Sequence, residues 1–210
     1  ITTGTVNVTA TSGNLTRLNT GGNMEVSGGT LNITGGGSWF PIGDTVDQTS
    51  TLTVNGGNVK VANDFGAQVG RRGHGVLTIT SGTFTNNDTG AIHGLIIGDQ
   101  STAQSGTVNL NGGTLAANKL SSLNGTNAFN FNGGTLQATA TNAGSSFWGN
   151  SANLTANVRN AGGTIDNNGT SITIGQHLVH STIGGDNAID GGLIFQGSST
   201  TTLTGTNTYT

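Results

Sequence analysis

Hydrophobic residues recur at fixed distances from a glycine pair that returns along the chain. The pair, or an equivalent Ser-Gly step, is centred at Gly28-Gly29, Gly56-Gly57, Ser81-Gly82, Gly112-Gly113, Gly133-Gly134 and Gly162-Gly163. Apolar residues stand two positions before the first five centres: Val26, Val54, Ile79, Leu110 and Phe131. Others stand four positions before: Met24, Leu52, Leu77, Val108, Phe129 and Val158. A third set stands three positions after: Leu31, Val59, Phe84, Leu115, Leu136 and Ile165. Because alternate residues of a strand share one face, each repeat predicts two short strands joined at a glycine corner.

A third apolar strand lies between some of these repeats. The segments "PIGDTVDQTSTLTV" (41–54), "QVGRRGHGVLTI" (68–79) and "IIGDQSTAQSGTVNL" (96–110) share an apolar strand end, a glycine and a loop. The strand ends at Gly43, Gly70 or Gly98. Roughly 20–30 residues with about three strands are typical of one coil of a solenoid, and stacked coils share a continuous core. The sequence therefore predicts an all-β fold, a parallel β-helix with about three short strands per coil and two interior ladders.

The glycine phrase is also compatible with a different all-β fold. "VNGGNV" between alternating strands is a strong hairpin signal, and repeated hairpins would give an antiparallel sandwich or barrel. We favour the solenoid because the third strand recurs and the apolar positions keep their phase while the loops vary in length. Asn86, Asn160 and Asn167 occupy positions where the pattern expects apolar residues, so we expect either interior polar stacks or early strand ends there.

Composition narrows the class of protein further. Charged residues make up 7% of the 210 residues and the formal net charge is -3, so the basic footprint of a nucleic-acid-binding protein is missing. No apolar run is long enough for a membrane-spanning helix. Cysteine is absent, which is compatible with bacterial secretion. Because the chain starts at Ile1 with no visible signal peptide, we expect a processed chain or a fragment.

The last twenty residues, "GGLIFQGSSTTTLTGTNTYT" (191–210), resemble the autotransporter-associated β-strand repeat. The matching positions are Gly191, Gly192, Leu193, Gly197, Thr202, Leu203, Gly205, Asn207, Thr208 and Tyr209, whereas Thr200 replaces a glycine of the pattern. "VGRRGHGVLTITSG" further upstream is similar to repeats of large autotransporter passengers. The resemblance implies a parallel β-helix carried on a secreted or surface-displayed bacterial protein, and it brings no catalytic residues. We expect residues 1–190 to form coils with glycine corners and residues 191–210 to continue the solenoid.

The acidic residues are candidates for catalysis, because polysaccharide lyases and hydrolases also use β-helices and need clustered carboxylates. Most of the nine acids are isolated in loops. Asp44 and Asp99 follow the same Ile-Gly step and are expected on one edge, with Arg71 at the matching place between them. This variation favours a turn over a reactive site.

Three further groups of residues are candidates for ion-binding sites. "GDNAIDGG" (185–192) offers Asp186 and Asp190, the oxygen-rich kind of loop that calcium prefers, but the regular glycine-aspartate array of calcium-binding β-helices is missing. His177 and His180 are three apart, which places them on opposite sides of a strand. Arg71, Arg72 and His74 form a local basic spot that is more typical of a solvated loop than of an anion site. No cofactor is expected, with calcium at Asp186 and Asp190 as the one candidate.

Adjacent aromatic residues are candidates for sugar binding. "GSWFPIG" (37–43) and "SSFWGN" (145–150) place Trp39 and Trp148 in glycine-rich surroundings. An exposed tryptophan would form a stacking platform for carbohydrate. The alternative, which we favour, is that each ring fills the core or covers an open coil.

These observations predict a non-catalytic extracellular β-helix: the stalk or adhesive passenger of a bacterial surface protein, or the subunit of a fibre. The alternatives are a carbohydrate-active β-helix enzyme and a carbohydrate-binding module. Neither end of the chain has the distinct composition of a cap, so the expected partners are further repeats of the same polypeptide or identical subunits stacked end to end, with surface polysaccharide as a further candidate.

Overall fold

The computed structural model describes residues 1–9, 17–88, 94–139 and 146–210, and these residues form twenty strands. In chain order they are β1 (Thr5–Thr9), β2 (Asn23–Val26), β3 (Thr30–Gly35), β4 (Phe40–Ile42), β5 (Thr49–Asn63), β6 (Ala67–Val69), β7 (His74–Asn86), β8 (Leu95–Ile97), β9 (Ser105–Leu110), β10 (Thr114–Ala117), β11 (Leu120–Ser121), β12 (Asn127–Phe131), β13 (Thr135–Ala138), β14 (Ser146–Trp148), β15 (Leu154–Val158), β16 (Gly163–Asp166), β17 (Ile172–Ile174), β18 (Leu178–His180), β19 (Leu193–Gln196) and β20 (Thr201–Leu203). These residues include no helix, and hence no helix that is long and apolar enough to cross a membrane.

The strands build three parallel faces of a β-solenoid with about seven turns. Face 1 contains β2, the first part of β5 and of β7, then β9, β12, β15 and β18. Face 2 contains β1, β3, the second part of β5 and of β7, then β10, β13, β16 and β19. Face 3 contains β4, β6, β8, β11, β14, β17 and β20. Within the described chain every pairing is parallel, so the predicted solenoid is confirmed and the hairpin alternative is wrong.

Two columns of inward side chains run through the core, as the sequence predicted. On face 1 the register aligns Val26, Val54, Ile79, Leu110 and Phe131, all 0% exposed. On face 2 it aligns Leu31, Val59, Phe84, Leu115, Leu136 and Ile165, none more than 3% exposed. On face 3 the strands that end before Gly43, Gly70 and Gly98 align Ile42 with Val69 and Ile97. Each residue therefore packs on its equivalents in the coils above and below.

One assignment within the repeat was wrong. Val158 stands four positions before its glycine pair, but it aligns with Phe131, which stands two positions before its own pair. The corner after β15 is two residues longer than the five corners before it, and the strand keeps its register because inward packing fixes which side chains face the core. Corner length therefore varies while the columns do not.

The three asparagines that interrupt the pattern have different positions. Asn86 and Asn167 are interior, 0% and 2% exposed. The Asn86 side-chain oxygen accepts a hydrogen bond from the Ala67 amide of the preceding coil, and that of Asn167 accepts one from the Gly169 amide. Asn160 lies exposed in the long corner, where it accepts a hydrogen bond from the Asn187 amide at 2.7 Å. Asn86 and Asn167 are thus interior polar groups, whereas the other alternative, an early strand end, holds at Asn160, because β15 ends at Val158.

Glycine is required at the corner between faces 1 and 2 for a conformational reason. Gly82 has φ +77° and Gly113 has φ +60°, values that residues with a Cβ rarely adopt.

Residues 191–210 pair with the preceding coil in the same way as earlier coils do, since β19 pairs with β16 and β20 pairs with β17.

A different glycine is required because neighbouring backbone approaches it. A Cβ on Gly75 would lie 2.2 Å from the Gly70 nitrogen and 2.2 Å from the Ile42 oxygen, both backbone atoms of face 3. We expect Gly75→Ala to lower the free energy of unfolding by about 2 kcal/mol, because overpacking must displace backbone. The matched control is Gly184→Ala, whose Cβ would meet nothing within 4 Å. Urea denaturation of both variants tests this, and equal midpoints would contradict the close approach.

Candidate functional site

The strongest concentration of charge surrounds Asp44, just after β4. The Asp44 side chain is 0% exposed and contacts three guanidinium groups. Arg72 donates from Nε and Nη2 at 2.8 and 3.0 Å, Arg71 donates from Nη1 at 2.9 Å, and Arg17 lies 3.1 Å away through Nη1. Half of the six lysine and arginine residues of the chain thus converge on one carboxylate.

The charge state of Asp44 follows from these contacts. Burial disfavours the charged carboxylate, but the hydrogen bonds and positive charges of Arg72 and Arg71 outweigh burial and lower the pKa of Asp44 below its ordinary value of 3.8. Arg17 belongs to the first coil, Asp44 to the second, and Arg71 and Arg72 to the third, so the cluster ties three coils together. A carboxylate held in this way is a structural anion and has no free lone pair directed at a substrate.

The column that contains Asp44 runs along one edge of the solenoid, as the Ile-Gly steps predicted. The Arg71 amide donates to the Gly43 carbonyl at 2.9 Å, and the Asp99 amide donates to the Gly70 carbonyl at 3.2 Å. The Asp99 carboxylate accepts a hydrogen bond from Nε2 of Gln68 at 2.5 Å. Asp44, Arg71 and Asp99 therefore occupy successive coils, but the two carboxylates have separate protein donors and do not form a general acid and base pair.

The two proposed calcium ligands are also bound by protein donors. Asp186 accepts two hydrogen bonds of 2.8 Å from Arg159 and one of 2.5 Å from the Ser181 hydroxyl. The Arg159 and Ser181 hydrogen bonds lower the pKa of Asp186. This carboxylate has a cation as its partner already, which is a poor environment for calcium.

Asp190 binds a different set of groups from Asp186. It lies 2.8 Å from Nδ1 of His180 and accepts hydrogen bonds from the Gly192 and Thr210 amides at 2.9 and 3.0 Å. Burial raises the pKa of Asp190, but hydrogen bonds from His180 and these amides outweigh burial and lower it. The described ranges contain no group of three or more His, Asp and Glu side chains arranged to hold a metal ion.

The two histidines of "QHLVH" are separated by their contacts. His177 lies near the Thr206 backbone, with Nδ1 3.0 Å from its oxygen, whereas His180 pairs with Asp190. His74, in the basic spot, lies 2.8 Å from the Ser105 hydroxyl.

The two tryptophans differ in burial and in their aromatic neighbours. Trp148 is 0% exposed and packs against Phe129 with ring centroids 5.0 Å apart, so the expectation that it stacks on carbohydrate is wrong. Trp39 is half-buried and stacks on Phe65 at 4.9 Å with an interplanar angle of 22°. The buried Trp148 agrees with the favoured interpretation as a packing residue. Phe65 covers one face of Trp39, and carbohydrate stacking on this ring stays a prediction.

Two adjoining grooves lie on the outside of the later coils. One, of about 310 Å³, is lined by Asn150, Ser151, Ala152, Leu154, Thr155, Ala156, Gln176, His177 and Val179. The other, of about 240 Å³, shares Asn150 and Ser151 and reaches Lys119. The described residues that line them include no carboxylate, so neither groove contains the acid pair that glycoside hydrolysis requires.

Sequence reasoning missed the partners of the buried acids, although a signal was present. Arg17, Asp44 and Arg71 follow one another at intervals of 27 residues, and Arg159 precedes Asp186 by the same interval. Because 27 residues is about the length of one coil, opposite charges at that separation lie next to each other in stacked coils. A search for charge pairs at the repeat length would have found both clusters.

In comparisons with known proteins, no family model matches the chain, and no curated protein or solved structure matches it either. The parallel β-solenoid agrees with the fold that the sequence resemblance implied, whereas the autotransporter family itself stays a prediction.

Proposed function

We propose that this protein is a non-catalytic structural or adhesive β-helix of a bacterial surface: a stalk, a passenger segment or the subunit of an extracellular fibre. One observation carries the proposal. Inward columns of side chains continue from coil to coil, and the acids Asp44 and Asp186 are bound by arginines of neighbouring coils. Ion pairs therefore connect neighbouring coils, as expected for a long and rigid structural protein.

The proposed partners are further coils, either of the same polypeptide or of identical subunits. The repeated register supports this, because described coils pair with one another through the same parallel strand contacts. Surface polysaccharide is a second proposed partner for the adhesive role. The proposed location is the bacterial cell surface or the surrounding medium, which immunogold labelling of intact cells with an antibody against this chain would test.

The absence of catalysis is the most direct biochemical prediction of the proposal. Purified protein is expected to leave pectins, alginates, glucans and xylans intact, because Asp44 and Asp99 bind protein donors in separate coils and no carboxylate lines the described grooves. Reducing-end release and absorbance of unsaturated products measure hydrolase and lyase activity. Turnover that is lost in Asp44→Asn or Asp99→Asn, in variants that remain folded, would favour the carbohydrate-active enzyme instead.

A further inference from the structure

Asparagine is followed directly by glycine at five places in the chain, all of them within the described ranges. An asparagine in this context can react with its own backbone, because glycine has no side chain to obstruct the approach of its amide nitrogen to the asparagine side chain. The five steps share this local sequence, so we expect differences in their reactivity to come from the fold. They are Asn55-Gly56, Asn111-Gly112, Asn124-Gly125, Asn132-Gly133 and Asn168-Gly169.

Deamidation at such a step consumes only water. The glycine amide nitrogen forms a bond to Cγ of asparagine, its proton passes to the side-chain nitrogen, and ammonia leaves. Water then adds to one of the two carbonyl groups of the cyclic imide and opens the ring. Opening at Cγ leaves aspartate, and opening at the main-chain carbonyl leaves isoaspartate, in which the backbone runs through the former side chain. Both products carry a carboxylate, and no atom is oxidised or reduced.

Hydrogen bonds hold the reacting side chain at two of the five steps. The glycine nitrogen and Cγ must approach within about 3–3.5 Å in the correct orientation, so a carboxamide that is bound to a neighbour must first be released. Asn55 accepts a 2.9 Å hydrogen bond from the Thr80 hydroxyl and donates to the Glu25 carboxylate at 3.3 Å. Asn124 donates from Nδ2 to the Asp99 carbonyl at 2.5 Å. Neighbouring coils therefore restrain both carboxamides.

At two other steps a hydrogen bond holds the attacking nitrogen. The Gly133 amide donates to the Gly162 carbonyl at 2.8 Å. The Gly169 amide donates to Oδ1 of Asn167 at 3.1 Å. An amide that donates in this way is directed at its acceptor and away from the carboxamide of the preceding asparagine, so ring closure requires that the hydrogen bond break first.

The step between β9 and β10 has neither restraint. Asn111 is exposed, and the described residues include no hydrogen-bond partner of its carboxamide or of the Gly112 amide. The Asn111 backbone amide donates to the Ile79 carbonyl at 2.9 Å, which holds the corner in the stack while the side chain is free to turn. We infer that Asn111 is a site of spontaneous modification, at which attack by the Gly112 amide converts the carboxamide into aspartate and isoaspartate.

The two products are expected to affect the corner differently. Each adds one negative charge to a chain whose formal net charge is -3. Aspartate keeps the length of the backbone, whereas isoaspartate lengthens it at a crowded place, since a Cβ on Gly112 would lie 2.2 Å from the Thr80 carbonyl oxygen. The modification therefore changes the surface charge in the middle of the solenoid and, as isoaspartate, the stacking of this corner. This inference goes beyond the proposed structural function and does not depend on it.

Incubation of the folded protein at mildly alkaline pH, followed by peptide mapping with mass spectrometry, compares all five steps in one sample. Asn111 is expected to convert at least about fivefold faster than each of the other four, because those must first give up a hydrogen bond. The rate is expected to rise with pH, because the Gly112 amide loses its proton during the attack. Labelling by isoaspartyl methyltransferase identifies the isoaspartate product.

Two controls separate the effect of the fold from that of the local sequence. In concentrated urea the five steps lose their contacts, and their rates are expected to converge. Asn111→Gln is expected to abolish the fast conversion in the folded protein, because the longer side chain closes a larger ring less readily. Asn132→Gln is the matched variant and is expected to leave the rate at Asn111 unchanged. Circular dichroism establishes that both variants are folded.

Four outcomes would overturn the inference. Conversion of another step as fast as Asn111 in the folded protein would show that the hydrogen bonds do not protect. Conversion of Asn111 in urea alone would show that packing at Gly112 prevents ring closure. The same ranking in urea as in the folded protein would mean that the local sequence sets the rates. A rate at Asn111 that does not change with pH would exclude attack by the Gly112 amide.

Discussion

Replacing Leu110 with aspartate is expected to lower the free energy of unfolding by at least about 4 kcal/mol or to prevent folding altogether. Leu110 is 0% exposed and lies between Ile79 and Phe131 in the face 1 column. The substitution removes a core side chain from between two stacked coils and buries a carboxylate for which the column offers no donor. Urea denaturation followed by circular dichroism measures the loss, and native-state hydrogen exchange shows whether β9 opens first.

Asn111→Asp is the matched control, because it introduces the same charge one residue away at an exposed corner. We expect it to change the free energy of unfolding by no more than about 0.5 kcal/mol. Similar losses for the two variants would mean that inward packing at Leu110 does not hold the coils together, and the column assignment would have to be abandoned.

The second large effect is expected at Asp44. Asp44→Asn is expected to lower the free energy of unfolding by about 3 kcal/mol, because it leaves three guanidinium groups without their counter-charge. Arg71, whose side chain is 14% exposed, contributes most of this loss, whereas water screens the more exposed Arg17 and Arg72. Asp47→Asn is the control, since Asp47 is exposed at φ +58°, a conformation that asparagine tolerates.

The same carboxylate predicts how stability depends on pH. Because the pKa of Asp44 is lower in the folded protein than its ordinary value of 3.8, the stabilisation is fully present above that value. It is lost as the pH falls through the folded pKa, where the carboxylate becomes protonated. The difference in stability between wild type and Asp44→Asn should therefore be constant from pH 7 to about 5 and shrink below about 4. A difference that stays constant in acid would contradict the ion cluster.

Most of the fold could be predicted from the sequence because one physical constraint repeats. A glycine corner recurs with apolar residues at fixed distances, so the sequence defines the column of Val26 in five repeats and that of Leu31 in six. Val158 was misassigned because the distance to the glycine depends on corner length, whereas the register depends on packing between coils. Distances along the sequence report corner length, whereas the register is visible only in the stacked coils.

Site assignments were less predictable because they depend on what lies one coil away. Asp44 was identified by its turn, but its environment comes from Arg17 and Arg72 in the neighbouring coils. Trp148 and Trp39 stand in similar glycine-rich segments, yet one is in the core and the other stacks on Phe65. The pattern around each residue determines which strand it joins, and neighbours from other coils determine how much of it water reaches.

The variation in coil length has a consequence for how the chain folds. Successive members of the face 1 column are separated by 21 residues at the shortest (Leu110 to Phe131) and 31 at the longest (Ile79 to Leu110). Loop-closure entropy grows only with the logarithm of this separation, so adding the longest coil costs about 0.3 kcal/mol more than adding the shortest. Each coil needs only the coil before it as a template, and no step must wait for a contact between distant parts of the chain. The polypeptide can therefore fold progressively from one end, coil after coil, as each successive segment becomes available.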